Sequence, residues 1–168
     1  MAALQTAPQV QTIPLANPAA TEALAAAYAA RLAPGDVIAL TGDLGAGKTV
    51  FARALIRSLG RAVGNDIDHV PSPTFTLVQL YDLADFTLYH FDLYRLKAPD
   101  EVWEIGIEDA FADGVSVIEW AERIEHLLPP HYIGINLAFG PDETARIATV
   151  TGPEELPEIN PGTGPETI

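Results

Sequence analysis

Residues 42–49 read Gly42-Asp43-Leu44-Gly45-Ala46-Gly47-Lys48-Thr49, and this octet decides the fold. It fits the pattern G-x-x-x-x-G-K-[ST] at every fixed position. The chemistry of such an octet is anion capture. Gly42, Gly45 and Gly47 let the backbone take conformations that other residues resist, so successive N–H groups turn toward one centre. A helix that starts at the end of the octet adds its unpaired N–H groups and the positive end of its dipole. Lys48 is spaced to reach β- and γ-phosphates, and the Thr49 hydroxyl to ligate Mg²⁺. The segment Asp43, Leu44, Gly45, Ala46, Gly47, Lys48, Thr49 and Val50 is therefore the candidate nucleotide-binding stretch.

The flanks supply the context that the pattern requires. Asp36-Val37-Ile38-Ala39-Leu40-Thr41 is a short apolar run bounded by glycines, the mark of a buried strand. Thr49 to Leu59 repeats apolar residues at helical spacing, with Gly60 as the expected stop. The chain has two lysines, Lys48 and Lys97, and one of them stands at the phosphate position.

Upstream, Val10 to Leu15 reads as a short edge strand. Asn17-Pro18 reads as an N-cap followed by Pro at the first helical position, opening an Ala-rich helix to about Ala33. Downstream, residues 61–74 form a long loop. Thr74 to Tyr81 and Thr87 to Tyr94 then pair as a hairpin around Asp82-Leu83-Ala84-Asp85. A short helix from Pro99 and a second from Ile107 to Ala112 are separated by Gly106. Val115 to Glu119 is another buried strand, and Tyr132 to Phe139 with Thr144 to Val150 a final hairpin. This order predicts an α/β, P-loop NTPase-like three-layer fold with a mostly parallel central sheet and antiparallel hairpins. It divides the chain into a loose N-terminus (1–9), one domain (10–150) and a mobile tail (151–168) with four prolines, four glutamates and no basic residue.

The composition narrows the class. The chain has 168 residues, enough for one core. Its 9 Lys and Arg against 23 Asp and Glu give a net charge of −14, which repels phosphate backbones and anionic membranes and so excludes broad nucleic-acid binding. Residues 82–125 alone hold 12 acids and three bases, a surface suited to a basic partner. The absence of cysteine excludes disulfides, thiolate metal sites and cysteine nucleophiles. No apolar run approaches the ~18 residues of a membrane span. The first 14 residues lack Lys and Arg and are interrupted by Gln5, Gln9 and Gln11, unlike a secretory signal, so a cytoplasmic protein is expected.

A Mg²⁺-bound nucleotide calls for a carboxylate at the end of a neighbouring strand. Asp92, after Phe86 to Phe91, and Glu119, after Val115 to Ile118, are the two candidates; either reads equally as a solvated strand-end carboxylate. Ser72-Pro73-Thr74 reads as a Pro-stiffened turn, with a nucleotide-sensing hydroxyl as the alternative. Arg53, Arg57 and Arg61 share one helix face and read as a solvated stripe, the alternative being a partner contact. Trp103 and Trp120 read as packing residues, with Trp120 next to Glu119 and able to flank the nucleotide. The four histidines show no metal spacing.

Together, the octet, Ser72-Pro73-Thr74-Phe75, His90-Phe91-Asp92-Leu93-Tyr94-Arg95-Leu96, Glu104-Ile105-Gly106-Ile107 and Val117-Ile118-Glu119-Trp120 resemble the TsaE family (formerly YjeE), in order and spacing over residues 10–150. The octet is common to all phosphate-loop proteins; the other elements in series are specific. The resemblance implies a small ATPase that works with TsaD and TsaB to place a threonylcarbamoyl group on N6 of adenosine 37 in tRNAs reading ANN codons. TsaD carries out the transfer, and ATP hydrolysis supports turnover of the complex. It implies that Asp92 ligates Mg²⁺, that Thr74 lies in a switch-like loop, that Glu119 sits near the γ-phosphate or metal with the orienting of water as its expected part, and that Trp120 flanks the nucleotide. Lys48, Asp92, Glu119 and Thr74 are thus the expected catalytic residues; Thr49, Asp92 and Glu119 the expected metal ligands; ATP and Mg²⁺ the cofactors. Partners would hold the tRNA. The Pro-rich tail replaces a further helical segment common in the family. The rivals are a small-molecule kinase, disfavoured by only seven arginines, and a noncatalytic ATP-gated binding module; no N-K-x-D element supports a GTPase.

Overall fold

The strand before the glycine loop is the centre of the molecule because both of its faces are apolar. In the computed structural model, which describes residues 7–152, Val37–Thr41 forms β2. Its period-two alternation sends Ile38 and Leu40 into one apolar cluster and Val37 and Ala39 into another on the opposite face. Parallel neighbours lie on both sides of β2. These are the strands Val115–Glu119 and Ile133–Phe139.

In chain order the seven strands are β1 (Gln9–Leu15), β2, β3 (Val78–Leu83), β4 (Phe86–Asp92), β5 (Val115–Glu119), β6 (Ile133–Phe139) and β7 (Arg146–Gly152). They form one sheet in the order β1-β7-β6-β2-β5-β4-β3. The central strands β6, β2, β5 and β4 are parallel, while β3, β7 and β1 add antiparallel edges. Helices α1 (Pro18–Ala29) and α2 (Lys48–Ala62) cover one face, where Leu24, Tyr28, Phe51, Leu55 and Ile56 are fully buried. Helix α3 (Ile107–Asp113) and the 3-10 turns Pro99–Trp103 and Ala121–Leu127 cover the other through Val102, Ile107, Ala110 and Ile124. This is the expected three-layer α/β fold.

Helix α1 begins as expected. The Asn17 side chain accepts the Ala20 N–H at 3.0 Å, and Pro18 takes the first helical position. The helix ends at Ala29 rather than Ala33, because the Asp36 carboxylate captures the Ala33 N–H at 2.8 Å and closes a turn there. Helix α2 runs through Gly60 to Ala62. Gly60 serves close packing, since a Cβ there would lie 2.5 Å from the Asn65 carbonyl oxygen. Residues 74–77, expected in a strand, are a turn: the Leu77 N–H bonds back to the Pro73 carbonyl at 2.8 Å, and Leu77 itself adopts φ +66°. The 3-10 turn Ala121–Leu127 carries no sequence signal of its own. At the ends, Gln9, Thr151 and Gly152 belong to the sheet through their pairing in β1 and β7. The expectations for residues 1–6 and 153–168 lie outside the described residues. Among the described residues no helix is long and apolar enough to cross a membrane.

Candidate functional site

The octet turns sharply between β2 and α2. Gly42, Gly45 and Gly47 take φ of +138°, +82° and +107°, where a side chain is strained. Gly42 has a second reason to be glycine: a Cβ there would overlap the Leu137 carbonyl of β6. The first N–H groups of α2 have no side-chain cap, because its N-cap is Gly47. Ala46 is buried in the core, so its contribution is backbone alone.

Lys48 folds back over the loop and donates to the carbonyls of Gly42 and Asp43, the latter at 2.9 Å. Burial pushes its ammonium pKa down, against the opposing pull of Glu122, Glu119, Asp43 and Asp92. The Nζ sits 4.0 Å over the Trp120 ring, and Trp120, at φ +59°, also packs against Tyr94 with ring centroids 4.9 Å apart.

The two strand-end carboxylates meet because β4 and β5 are parallel and in register, with Asp92 opposite Glu119. Both are buried. Glu119 accepts the Thr49 hydroxyl at 2.5 Å on one oxygen and lies 2.6 Å from His90 Nε2 on the other. Asp92 accepts the Ser72 hydroxyl at 3.2 Å and the Tyr94 N–H at 3.1 Å, and Thr74 donates to Ser72 at 3.3 Å. Burial pushes the Asp92 carboxyl pKa up, with Glu119 adding to it; the Tyr94 N–H, the Ser72 hydroxyl and His90 act the other way.

Lys48, Thr49, Ser72, Thr74, Asp92 and Glu119 thus converge on one open cavity of about 390 Å³, walled by Leu44, Arg95 and Trp120. A second cavity of about 310 Å³ shares Gly45, Gly47 and Val50 with the first and continues between Pro18, Thr21 and Thr144. The donor set suits a hard cation. One hydroxyl and two carboxylates offer oxygen ligands, as Mg²⁺ requires. Among the described residues no group of three or more His, Cys, Asp or Glu is placed to hold a metal ion.

Of the arginine stripe, Arg53 donates to the Val70 carbonyl at 3.0 Å and Arg57 to the Asp68 carbonyl at 3.4 Å, so both fasten the 63–73 loop to α2. Two residues near the site were missed. His90 shares a strand face with Asp92, two residues on, and that spacing was a usable signal. Arg146 reaches the loop across 100 residues of sequence, and no local pattern announces it.

Similar proteins carry the same architecture. A family model described as "Threonylcarbamoyl adenosine biosynthesis protein TsaE" matches residues 15–147. The tRNA threonylcarbamoyladenosine biosynthesis protein TsaE of Rickettsia felis is 45% identical over 136 residues, covering 81% of this chain and 77% of that protein. The protein of that name in Bacillus subtilis is 39% identical over 132 residues, covering 78% and 79%. The crystal structure of Bacillus subtilis YdiB matches with a TM-score of 0.68 at 33% identity, covering 89% of each chain. By its sequence over residues 15–147 and by its fold, this chain belongs to the TsaE family.

Proposed function

We propose that the chain is a Mg²⁺-dependent ATPase of threonylcarbamoyladenosine biosynthesis, supporting turnover of a TsaD–TsaB transferase that modifies N6 of adenosine 37 in tRNA. The observation that carries the ATPase reading is the convergence of Lys48, Thr49, Asp92 and Glu119 on one cavity beside the glycine loop. The pathway reading rests on family membership.

In this reading the loop amides and Lys48 bind the β- and γ-phosphates. Lys48 exchanges its two loop carbonyls for phosphate oxygens, so it is held in place before substrate arrives. A Mg²⁺ ion held by these oxygen ligands would supply charge neutralisation for the phosphates. Thr49 and Glu119, already joined, hold the metal side, with Asp92 as the second carboxylate. Glu119 has its oxygens on Thr49 and His90, and Asp92 has its own on Ser72 and the Tyr94 N–H; of these contacts the 3.2 Å one from the Ser72 hydroxyl is the one water can replace, and burial raises the Asp92 pKa, so Asp92 orients the attacking water. Ser72 and Thr74, tied to Asp92, carry the presence of the γ-phosphate into the 72–77 turn. The second cavity takes the ribose and base. Arg95, stacked on Phe75 at 4.5 Å and lining the first cavity, is the cation available in cis. No other Arg lines that cavity among the described residues, which favours slow hydrolysis alone and faster hydrolysis in a complex.

TsaD and TsaB hold the tRNA, and this acidic cytoplasmic chain docks on protein. Leu44 and Phe75, 71% and 81% exposed beside the nucleotide cavity, supply apolar contact for that docking. A pull-down from lysate with and without ATP tests the pathway: TsaD and TsaB are recovered, and their absence under both conditions would sink it. Transfer of labelled γ-phosphate to a metabolite instead of water would favour a kinase.

A further inference from the structure

The glycine loop is gripped from two sides, and only one grip belongs to its own motif. Inside the cavity, Lys48 holds the carbonyls of Gly42 and Asp43. Arg146, the first residue of β7, holds the next two available carbonyls: its Nη2 donates to Gly45 O at 3.1 Å and its Nε to Ala46 O at 3.2 Å. Its Nη1 donates to Glu143 O at 2.9 Å and Ala145 O at 2.8 Å, and the guanidinium lies 4.9 Å from the Phe139 ring centroid. Three nitrogens of one planar group are thus committed to four carbonyls of protein, a geometry lysine cannot reproduce.

We propose that Arg146 is a positioning residue for anion binding: it sets the peptide planes of the phosphate loop and so pre-organises the amides that capture the nucleotide phosphates. The argument is one of planarity. There is no cis peptide in the described chain, and in a trans peptide the C=O and the following N–H point in opposite directions. Holding Gly45 O fixes the Ala46 N–H, which closes the turn onto Asp43 O at 3.0 Å. Holding Ala46 O points the Gly47 N–H the opposite way within the same peptide plane. Both planes border glycines with positive φ, whose backbone resists rotation less than that of other residues. Without a fixed external donor this stretch would have to be ordered at the expense of binding free energy.

The inference rests on the reading of the loop as a phosphate site, and the experiment separates the two. Wild type, Arg146→Gln and Arg146→Lys are titrated calorimetrically with ADP and with inorganic tripolyphosphate, in EDTA and in Mg²⁺, and each is melted without ligand. The glutamine variant is expected to bind both anions about tenfold more weakly or worse, in EDTA as well as in Mg²⁺, and the lysine variant to fall between. If the glutamine variant does not fold, the lysine variant decides. Equal affinities in folded variants, or a loss confined to ADP with tripolyphosphate unaffected, would overturn the proposal: the first makes Arg146 a structural staple and the second a contact to the base. Failure of wild type to bind either anion would overturn the phosphate site itself, and this inference with it.

Discussion

The Glu119 carboxylate accepts the hydroxyl of Thr49 at 2.5 Å, joining the end of β5 to the first turn of α2 across 70 residues of sequence. Its place at the end of an apolar strand makes Glu119 one of two candidate carboxylates, and the family resemblance places it near the γ-phosphate or metal. The geometry makes it the carboxylate in contact with the phosphate-loop hydroxyl, while Asp92, one strand over, contacts the Ser72 turn.

That division predicts different phenotypes for the two acids. Glu119→Gln should weaken the Mg²⁺-dependent part of ATP binding and lower hydrolysis by about 10²-fold or more. Asp92→Asn, which leaves the Thr49–Glu119 contact in place, should weaken ATP–Mg²⁺ binding less than Glu119→Gln does, yet lose hydrolysis by a similar factor. Nucleotide titrations in Mg²⁺ and in EDTA, beside single-turnover rates, check this. Identical phenotypes would refute the division of roles.

Asp92 also predicts a pH dependence of stability. Burial raises its folded pKa above the ordinary carboxylate value, so the folded state binds its proton more tightly than the unfolded chain does. Its ionisation therefore costs stability, fully so above the raised pKa, and the cost is relieved as pH falls through it toward the ordinary value. Asp92→Asn should then melt higher than wild type at pH 7 without nucleotide, by about 2–4 °C for each kcal/mol removed. The difference should shrink in acid. Melting curves from pH 4 to 8 test the sign, and a variant less stable at pH 7 would contradict it.

His90 is fully buried and within 2.6 Å of Glu119. His90→Phe leaves that carboxylate oxygen without a donor, at a cost of about 1–3 kcal/mol. His90→Gln, which keeps an N–H donor, should lose less. The ordering of the two melting temperatures is the measurement; a phenylalanine variant as stable as wild type would show the contact to be idle.

Gly42→Ala places a methyl group against the Leu137 carbonyl at φ +138°. The loop must then shift off β6, and nucleotide affinity should fall about tenfold or more while the fold survives. Gly45→Ala is the control: it also has positive φ in the same loop, but a Cβ there meets nothing nearer than the Phe139 ring at 3.9 Å. Equal affinities for the two variants would show that strain, rather than the approach to β6, governs the loop.

The octet and its flanks made the strand–loop–helix unit legible, because each glycine, the lysine and the hydroxyl have local physical reasons to be there. The parallel centre followed from apolar runs such as Val37–Leu40 and Val115–Ile118, which can only be buried on both faces. Asp92 and Glu119 could be named as strand ends, but their division of labour depends on register, which spacing does not encode. Gly60 was misread because a glycine that ends a helix and one that admits a neighbouring carbonyl look the same in sequence. Arg53 and Arg57 looked like a solvated stripe because their acceptors are backbone carbonyls of a loop, invisible as a pattern. Arg146 was silent for the same reason.

The placement of β6 beside β2 has a consequence for the order in which the molecule can be made. The motif emerges from the ribosome early, but the backbone that shapes it, at Leu137 and Arg146, emerges about ninety to a hundred residues later. A nascent chain that has not yet exposed these residues carries the complete octet without its buttress. Nucleotide capture as proposed would therefore be a late event in biogenesis, and a chain shortened before β6 would keep every residue of the signature without the backbone that shapes it.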